Sequence, residues 1–374
     1  QGLNQSAHGT HNNAGIIHLH LATGQIGKPG AGPFSLTGQP NAMGGREVGG
    51  LANLLSAHRD LGNPAHRAEM ARFWGVPFVP ARPGKAAVDL FRSLKTSEIK
   101  AVWIACTNPA QSLPNQAAVR EALQAAEYVV LQEAYAHTDT ADYADLLLPA
   151  SSWGEKYGTV TNSERCITRV QAAVAPPGEA RHDWEIVVDF ARRLGKKLGH
   201  DGADRLFPYA DAESIFNEHR ETTRGRDLDI TGLSYALLDA EGPQQWPFPE
   251  GVAKGKVRLY EDGRFPTADG KARFVAIGHA ATADGLTPDA PISLLSGRMR
   301  DHWHGMSRTG TVPRLFNLED EPVLTMHPCD MRHRQLASGD IVRVANGRGK
   351  LTVRIAERAG LQRGRAWMPM HWGS

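Results

Sequence analysis

KAVWIACTNPAQSLPNQAAVREALQAAEYVVLQ, from Lys100 to Gln132, carries the pattern that decides the fold. The predicted elements are a buried strand at Lys100–Ala105, an amphipathic helix at Asn115–Ala126, a strand at Tyr128–Gln132 and a third strand at Asp145–Leu148. Strand, helix and strand at this spacing predict a right-handed parallel βαβ unit. Ligands of such units bind at the carboxyl ends of the strands, so residues 106–111 and 132–135 are candidate binding segments.

The composition is that of a globular chain. Its 374 residues, of which 41% are hydrophobic, can bury more than one core, so two or three domains are expected. No run of about eighteen apolar residues occurs, which predicts a soluble chain without a membrane segment. The formal charge of +2 and the scattered basic residues give no electrostatic footprint for nucleic acid.

The three cysteines, Cys106, Cys166 and Cys329, lie far apart and lack any C-x-x-C spacing. They are expected to be reduced and structural rather than zinc, redox or iron-sulfur ligands. This usage favours a cytoplasmic location, with the periplasm as the alternative. The chain begins at Gln1 without a methionine or a targeting segment, so we expect it to be a fragment of a longer protein.

Segments outside the βαβ unit also carry structural signals. Ala14–Thr23 is competent to form a helix, and His182–Leu194 has apolar residues at helical spacing, with Gly195 as the expected stop. Residues 202–288 are polar and rich in Gly and Pro, and we expect them to be peripheral. From Pro291 onward, short strand-like runs separated by turns predict a small β-barrel.

These signals together predict the fold class and the domains. The class is α/β, with Rossmann-like parallel-sheet domains followed by a C-terminal β-barrel domain. The predicted domains are the end of one α/β domain at 1–39, a second α/β domain at 40–285, and the start of the barrel at 286–374.

LTGQPNAMGGREVG, from Leu36 to Gly49, is the leading candidate for a binding segment. Its glycines and proline predict a loop rather than a helix or a strand. Gln39 and Asn41 offer amide donors and acceptors to a heterocycle. Arg46 offers a planar cationic fork to a small oxyanion, and Glu47 is expected to neutralise and orient that arginine. A lone run of this kind is more often a solvated surface loop, so the decision depends on the segments around it.

Five further segments precede or follow this one, and their order along the chain is also informative. They are GLNQSAHGTHNNAGIIHLHLATGQIGKPGAGPFSLTGQ (2–39), CTNPAQSLPN (106–115), YADLLLPASSWGEKYGTVTNSER (143–165), RHDWEIVVDFARRLG (181–195) and SGRMRDHWHG (296–305). With them, the chain resembles the molybdopterin-guanine-dinucleotide oxidoreductases, and within that family the catalytic subunits of assimilatory and periplasmic nitrate reductases. The resemblance runs along nearly the whole chain.

The resemblance implies a set of residues that contact the pterin dinucleotide. Gln5 and Gln39 would contact the pterin end of one cofactor, Asn108 would lie near the phosphates, Gln132 and Glu133 would take the ribose or guanine, and Lys156 and Asp183 would complete the pattern. Carboxylates suit ribose hydroxyls and the guanine edge because they accept bidentate hydrogen bonds. Taken singly, several have a structural explanation: Asn108 precedes a proline and favours a turn, Asp183 can cap a helix, and Lys156 can pair with Glu155.

The motif SGRMRDHWHG adds Ser296, Gly297, Arg298, His302 and His304 as cofactor-binding candidates. Core packing explains Trp303 but not the arginine and the two histidines together. His302 and His304, spaced i, i+2, could alternatively bind a metal ion, but no third ligand is near them in the sequence, so pterin contact is the preferred interpretation.

The implied activity is reduction of nitrate to nitrite, with Arg46 as the catalytic, substrate-binding residue. The cofactors would be bis-molybdopterin guanine dinucleotide with molybdenum and a 4Fe-4S cluster, whose cysteine ligands would lie before Gln1. The electron donor would be ferredoxin, flavodoxin or an NADH-dependent reductase component. As given, the chain is expected to be inactive alone.

Two alternatives stay open. Formate dehydrogenases typically carry arginine two residues before the glutamine that corresponds to Gln39; here that residue is Thr37, which favours nitrate. A non-catalytic scaffold, like the large peripheral-arm subunit of respiratory NADH dehydrogenase, would have no reason to keep the candidate ligands together. A plain nicotinamide dehydrogenase is disfavoured because no G-x-G-x-x-G follows a strand.

Overall fold

A computed structural model describes residues 3–4, 6–200, 202–281 and 284–372. The chain divides into two compact units, each built from two stretches of sequence. The first unit comprises Gln1–Gly84 and Ser151–Thr282, and the second comprises Lys85–Ala150 and Ala283–Ser374. In the described ranges no helix is both long and apolar enough to cross a membrane.

The helices and strands follow in chain order. The helices are α1 (Gly9–Ala22), α2 (Ala42–Glu47), α3 (Pro64–Trp74), α4 (Ala87–Lys95), α5 (Pro109–Ser112), α6 (Gln116–Ala125), α7 (Asp183–Lys197), α8 (Ala203–Leu206), α9 (Ala212–Thr222), α10 (Tyr235–Glu241), α11 (Pro313–Phe316) and α12 (Pro328–His333). The strands are β1 (Leu54–Leu55), β2 (Arg59–Asp60), β3 (Ala101–Ala105), β4 (Tyr128–Glu133), β5 (Leu146–Pro149), β6 (Gly158–Thr161), β7 (Cys166–Val170), β8 (Gln244–Gln245), β9 (Ser293–Gly297), β10 (Val323–Met326), β11 (Ile341–Ala345), β12 (Lys350–Glu357) and β13 (Arg365–Pro369).

The predicted parallel sheet is confirmed in the second unit. Strands β3, β4 and β5 pair in that order and in parallel, with Ala101 opposite Tyr128 and Val130 opposite Leu146. The sheet residues Val129 and Leu131 share a buried cluster with Leu94 of α4 and Leu123 of α6. Burial of these side chains holds the helices against the sheet and fixes the positions of the strand ends.

The C-terminal domain, predicted as the truncated start of a β-barrel, contains no closed barrel among the described residues. The strands from Pro291 onward form an open mixed sheet in the order β11-β12-β10-β13-β9. A barrel needs its first and last strands to pair, whereas β11 and β9 each pair on one side only within the described residues. The core of this sheet contains Leu324, Val353 and Ile355.

Residues 202–281 are not peripheral, contrary to the sequence-based expectation. They supply most of the core of the first unit: Phe216, Leu228, Ile230, Leu233, Tyr235, Leu238, Trp246 and Phe248, joined by Ala57 and Ile167. Their apolar residues are large but irregularly spaced among Gly, Pro and polar residues, so neither helical nor strand periodicity reveals them.

Helix α7 continues through Gly195, which was expected to stop it. A Cβ built at position 195 would lie 2.3 Å from the Cβ of Ala203 in α8. Gly195 therefore allows α7 and α8 to approach closely and does not end the helix. The first helix also differs from expectation because it begins at Gly9, before Ala14.

Candidate functional site

The segment from Leu36 to Gly49 contains a helix, which corrects the prediction that it is entirely a loop. Ala42–Glu47 forms the six-residue α2, and Asn41 is its N-cap residue. The chain leaves α2 through Gly49, whose φ of +79° suits glycine, and a Cβ there would lie 2.5 Å from the carbonyl carbon of Leu55. Arg46 lies in the last turn of this short helix and is half-buried.

Glu47 does not pair with Arg46, so the expected neutralisation is wrong. Its carboxylate is 2% exposed and accepts hydrogen bonds from Trp246 Nε1 at 2.5 Å and from Thr161 Oγ1 at 2.8 Å. Burial raises the pKa of the Glu47 carboxyl, while the hydrogen bonds from Thr161 and Trp246 act in the opposite direction. In the part of the chain that is described, Arg46 makes no ion pair or side-chain hydrogen bond.

The side-chain amide of Asn41 also makes a hydrogen bond within the first unit. Its Oδ1 accepts a hydrogen bond from the backbone N–H of Thr161 at 2.9 Å. Gln39, two residues earlier, is exposed. Gln5 lies outside the described residues. The structure therefore gives Asn41 a structural partner and leaves the pterin-binding roles of Gln39 and Gln5 as predictions.

Lys156 and Asp183 are brought together in the first unit. Lys156 Nζ lies 2.5 Å from Asp183 Oδ2, with the two side chains 27% and 32% exposed. Asp183 is the first residue of α7, and His182 occupies the N-cap position instead. The Nδ1 atom of His182 lies 2.9 Å from the Ser151 hydroxyl. The pair is accessible to a polar ligand, and its cofactor-binding role stays a prediction.

In the second unit, Asn108 follows β3 and is the N-cap residue of α5. Its Oδ1 accepts from the Thr140 backbone N–H at 3.0 Å and from the Thr140 hydroxyl at 2.6 Å. Its Nδ2 donates to Gln111 at 3.2 Å and to Asp139 at 3.0 Å. Asn108 thus ties the end of β3 to the segment after β4, which shapes the edge where ligands of parallel sheets bind.

Gln132 and Glu133 close β4 at the same edge. Gln132 is 2% exposed, and its carbonyl accepts the backbone N–H of Cys106 at 3.2 Å. Glu133 is half-buried and accepts the N–H of Ala134 at 2.8 Å. Because Glu133 is the more accessible of the two, it is the better placed for a ribose or guanine contact.

Arg298 and His304 meet in the loop after β9. The guanidinium of Arg298 stacks over the ring of Trp303 at 4.3 Å from its centre, and Nη2 lies 3.2 Å from His304 Nε2. The Nε atom of Arg298 is buried and has no hydrogen-bond partner among the described residues. Burial, followed by the charge of Arg298, lowers the pKa of His304. Ser296 and Gly297 are the last residues of β9 and lead into this loop.

His302 and His304 do not face a common metal site. His302 is 4% exposed, and its ring nitrogens lie 3.3 Å from the Thr309 hydroxyl and 3.3 Å from the Glu319 carbonyl. His304 contacts Arg298 instead. Among the described residues, no group of three or more His, Cys, Asp or Glu side chains could hold a metal ion.

His371 was missed by sequence reasoning, whereas Gln111 is the last residue of the candidate binding segment 106–111. His371 is fully buried; its Nδ1 donates to the His304 carbonyl at 2.7 Å, and its Nε2 accepts the Met299 N–H at 2.8 Å. Burial lowers its pKa, and an Nε2 that accepts an N–H belongs to a neutral ring. Gln111 donates to the His371 carbonyl at 2.9 Å. The one sequence signal was a histidine inside the apolar run WMPMHW.

The loop after β9 borders a cleft of about 680 Å³ within the second unit. Its wall contains Arg298, Met299, Arg300, Glu319, Asp320, Glu321, Val323, Thr325, Arg358, Trp367 and Pro369. Arginines suit phosphate, an indole ring suits stacking on a base, and carboxylates suit the N–H edge of guanine. The buried Nε of Arg298, which has no hydrogen-bond partner among the described residues, also suits an anionic ligand. These groups suit a ligand that carries both phosphate and an aromatic base.

The parallel sheet and these groups fit the class of proteins that bind a phosphate-bearing dinucleotide. Sequence comparison identifies which one: residues 1–193 match the molybdopterin oxidoreductase family, and residues 292–374 match the molydopterin dinucleotide binding domain. The chain belongs to the molybdopterin oxidoreductase family. The prediction of family and of a pterin dinucleotide cofactor with molybdenum is therefore confirmed.

Relatives align with the whole chain. A nitrate reductase from Synechocystis sp. is 41% identical over 380 residues, covering 100% of this chain and 52% of the relative. A nitrate reductase from Klebsiella oxytoca is 43% identical over 383 residues, covering 100% of this chain and 42% of the relative. The chain thus spans about half the length of these relatives.

A solved structure shares the fold. Acetylene hydratase from Pelobacter acetylenicus matches with a TM-score of 0.57 and 20% identity, over 81% of this chain and 42% of that chain.

Proposed function

We propose that this chain is part of a molybdenum-dependent nitrate reductase, which reduces nitrate to nitrite by two-electron oxygen-atom transfer at a bis-pterin molybdenum centre. The observation that carries the proposal is Arg46, a half-buried guanidinium with no ion pair or side-chain hydrogen bond among the described residues. Its two parallel N–H donors suit a planar trigonal anion. Nitrate reductases that align with the whole chain favour nitrate as that anion.

The role of Arg46 is electrostatic. Its guanidinium binds nitrate and offsets the negative charge that develops on an oxygen atom as the N–O bond breaks. Half-burial strengthens this interaction because the effective dielectric constant is lower than in bulk water. The carboxylate of Glu47 is held by Thr161 and Trp246, so Arg46 keeps its charge available to the substrate.

The remaining candidate residues hold and orient the cofactor. Arg298, Arg300 and Arg358 would bind phosphate groups, and Glu319–Glu321 would accept the N–H edge of guanine. Asn108, Gln132, Glu133, Gln5, Gln39, Lys156 and Asp183 would complete the contacts that the family resemblance implies. When bound, the cofactor supplies the redox chemistry of the molybdenum centre.

Three finer features belong to the intact protein. We infer that it carries a 4Fe-4S cluster, that ferredoxin, flavodoxin or an NADH-dependent reductase component donates its electrons, and that it works in the cytoplasm. These features rest on the resemblance to assimilatory nitrate reductases. Formate dehydrogenase is the alternative activity, and Thr37 at the position of the formate-enzyme arginine disfavours it.

Kinetics of Arg46 variants test the proposal. In the full-length holoenzyme with reduced viologen as donor, Arg46→Ala should lower kcat/KM for nitrate about 100-fold, because the guanidinium binds the anion in the transition state. Arg46→Lys should recover only part of the loss, since an ammonium group lacks the planar fork. Arg72→Ala, at an exposed arginine of α3, is the matched control. Equal kcat/KM values for wild type and Arg46→Ala, at equal molybdenum content, would refute the role.

A further inference from the structure

Thr161, the last residue of β6, contacts both ends of the helix that carries Arg46. Its backbone N–H donates to Oδ1 of Asn41, the N-cap residue of α2, at 2.9 Å. Its hydroxyl donates to Oε2 of Glu47, the last residue of α2, at 2.8 Å. Thr161 itself is 4% exposed. One buried residue therefore fixes both ends of α2.

Helix α2 needs such external contacts. It has only six residues, and two of them, Gly44 and Gly45, disfavour helix. A helix this short is unstable by itself because nucleation is unfavourable. The backbone carbonyl of Glu47 adds one more contact by accepting the Ala57 N–H at 2.7 Å. The orientation of α2, and with it the start of the Arg46 side chain, is set by residues outside the helix.

The carboxylate of Glu47 is an unusual anchor. It lies beside the apolar core of the first unit, with Trp246 donating to Oε1 at 2.5 Å, and no Lys or Arg pairs with it in the described ranges. Burying an unpaired carboxylate destabilises a fold, and apolar residues of similar volume often replace buried charges without loss of stability. A stability requirement alone does not explain why a carboxylate stands here.

We propose that Thr161, Glu47 and Trp246 are positioning residues that hold α2 so that Arg46 is aimed at the oxyanion. They do not touch the substrate and act on nitrate only through Arg46. The inference rests on the proposed function of Arg46. It adds three positioning residues, two of which lie more than a hundred positions from Arg46 in the sequence.

The test uses variants of Thr161 in the full-length holoenzyme. Thr161→Val removes the hydroxyl and keeps the shape, whereas Thr161→Ser keeps the hydroxyl. Thr159→Val is the matched control, because Thr159 lies on the same strand, is half-buried, and its hydroxyl has no hydrogen-bond partner in the described part of the chain. Three quantities are measured: KM and kcat for nitrate, molybdenum content, and hydrogen exchange of the amides of residues 42–47.

The expected result is specific to a positioning role. Thr161→Val should raise KM for nitrate roughly tenfold, since a hydrogen bond to a charged group is lost and a small misplacement of the arginine weakens anion binding. Exchange of the α2 amides should become faster, while molybdenum content stays at the wild-type level. Thr161→Ser should restore most of the affinity, and Thr159→Val should behave as wild type.

Other outcomes overturn the inference. Faster exchange of α2 with unchanged KM and kcat would show that the anchor does not serve the substrate. Unchanged exchange would show that Thr161 does not hold α2. If the wild-type holoenzyme does not turn over nitrate, the proposed function itself fails; the exchange rates distinguish this result because they report the anchor independently of activity.

Discussion

Arg46 and Glu47 are adjacent residues with opposite surroundings. Arg46 is half-buried and keeps its charge free of protein partners among the described residues, whereas Glu47 is 2% exposed and held by two donors. From the sequence, Glu47 was expected to pair with Arg46 and neutralise its charge. Helical geometry separates them, since side chains one residue apart point about 100° away from each other on a helix.

Neutral Gln at position 47 tests the cost of burying this charge. Burial raises the folded-state pKa of Glu47, so its contribution to stability is present below the ordinary value of 4.5 and is lost as pH rises through the folded pKa. Glu47→Gln keeps the volume and removes the ionisation. The melting temperature of the variant minus that of wild type should therefore increase between pH 4.5 and pH 8. A constant difference across this range would contradict the burial argument.

His219 gives a prediction of the opposite sign. Its Nδ1 lies 3.0 Å from the Ser56 hydroxyl, and burial, with the nearby His58, lowers its pKa from 6.5 to about 4. The folded state thus binds fewer protons than the unfolded state, so stability is present above pH 6.5 and is lost as pH falls toward about 4. Between pH 7 and pH 5, the melting temperature should fall less for His219→Gln than for wild type. An identical fall in both proteins would contradict the role given to His219.

At the scale of the element, α2 shows why a glycine-rich segment misleads sequence analysis. Gly and Pro predicted a loop from Leu36 to Gly49, yet six of these residues form a helix. The contacts that stabilise it come from Thr161, Trp246 and Ala57, which local propensity does not include. Long-range hydrogen bonds override a weak local preference here.

Two glycines of this segment should respond differently to alanine. Gly49→Ala places a Cβ 2.5 Å from the Leu55 carbonyl carbon at a φ of +79°, and should destabilise the fold by about 2 kcal/mol. Gly45 lies inside α2, and among the described residues a Cβ there would meet no atom within 4 Å outside the backbone of its own helix, so Gly45→Ala should be neutral or stabilising by about 0.5–1 kcal/mol. Thermal unfolding of the two variants measures the difference. Equal melting temperatures would mean that the turn at Gly49 is not constrained.

The loop after β9 is held by His371, which bonds to its residues 299 and 304. His371→Ala removes both hydrogen bonds and should destabilise the second unit by about 2 kcal/mol. It should also reduce the molybdenum that the holoenzyme retains through gel filtration, because Arg298 lies in this loop. His333→Ala, at an exposed histidine, is the control. Full molybdenum retention in His371→Ala would show that cofactor binding does not depend on the way His371 holds this loop.

At the scale of the whole molecule, short-range periodicity predicted most elements but not their closure or their long-range contacts. The parallel unit of β3, β4 and β5 was predicted because each element has its own hydrophobic period. The C-terminal strands were also predicted, but the pattern within each strand does not encode which strands become edges, so a barrel was expected in place of an open sheet. Core residues such as Leu228 and Trp246 were missed because they lie in a segment without periodicity.

The sequence predicted many residues of the candidate site but only some of the contacts between them. The chemistry of its segment supplied Arg46, and family resemblance supplied Lys156, Asp183 and Arg298. Thr161 and His371 could not be predicted, because each acts through contacts with residues that are distant in the sequence.

Steady-state turnover by the full-length holoenzyme with nitrate and, in parallel, with formate tests the assigned substrate directly. Reduced viologen is the donor for nitrate, and oxidised viologen is the acceptor for formate. We expect nitrate-dependent viologen oxidation that forms one nitrite per two electrons, and no viologen reduction by formate. Formate oxidation without nitrate turnover, in enzyme that contains molybdenum, would contradict the assignment of nitrate as the substrate.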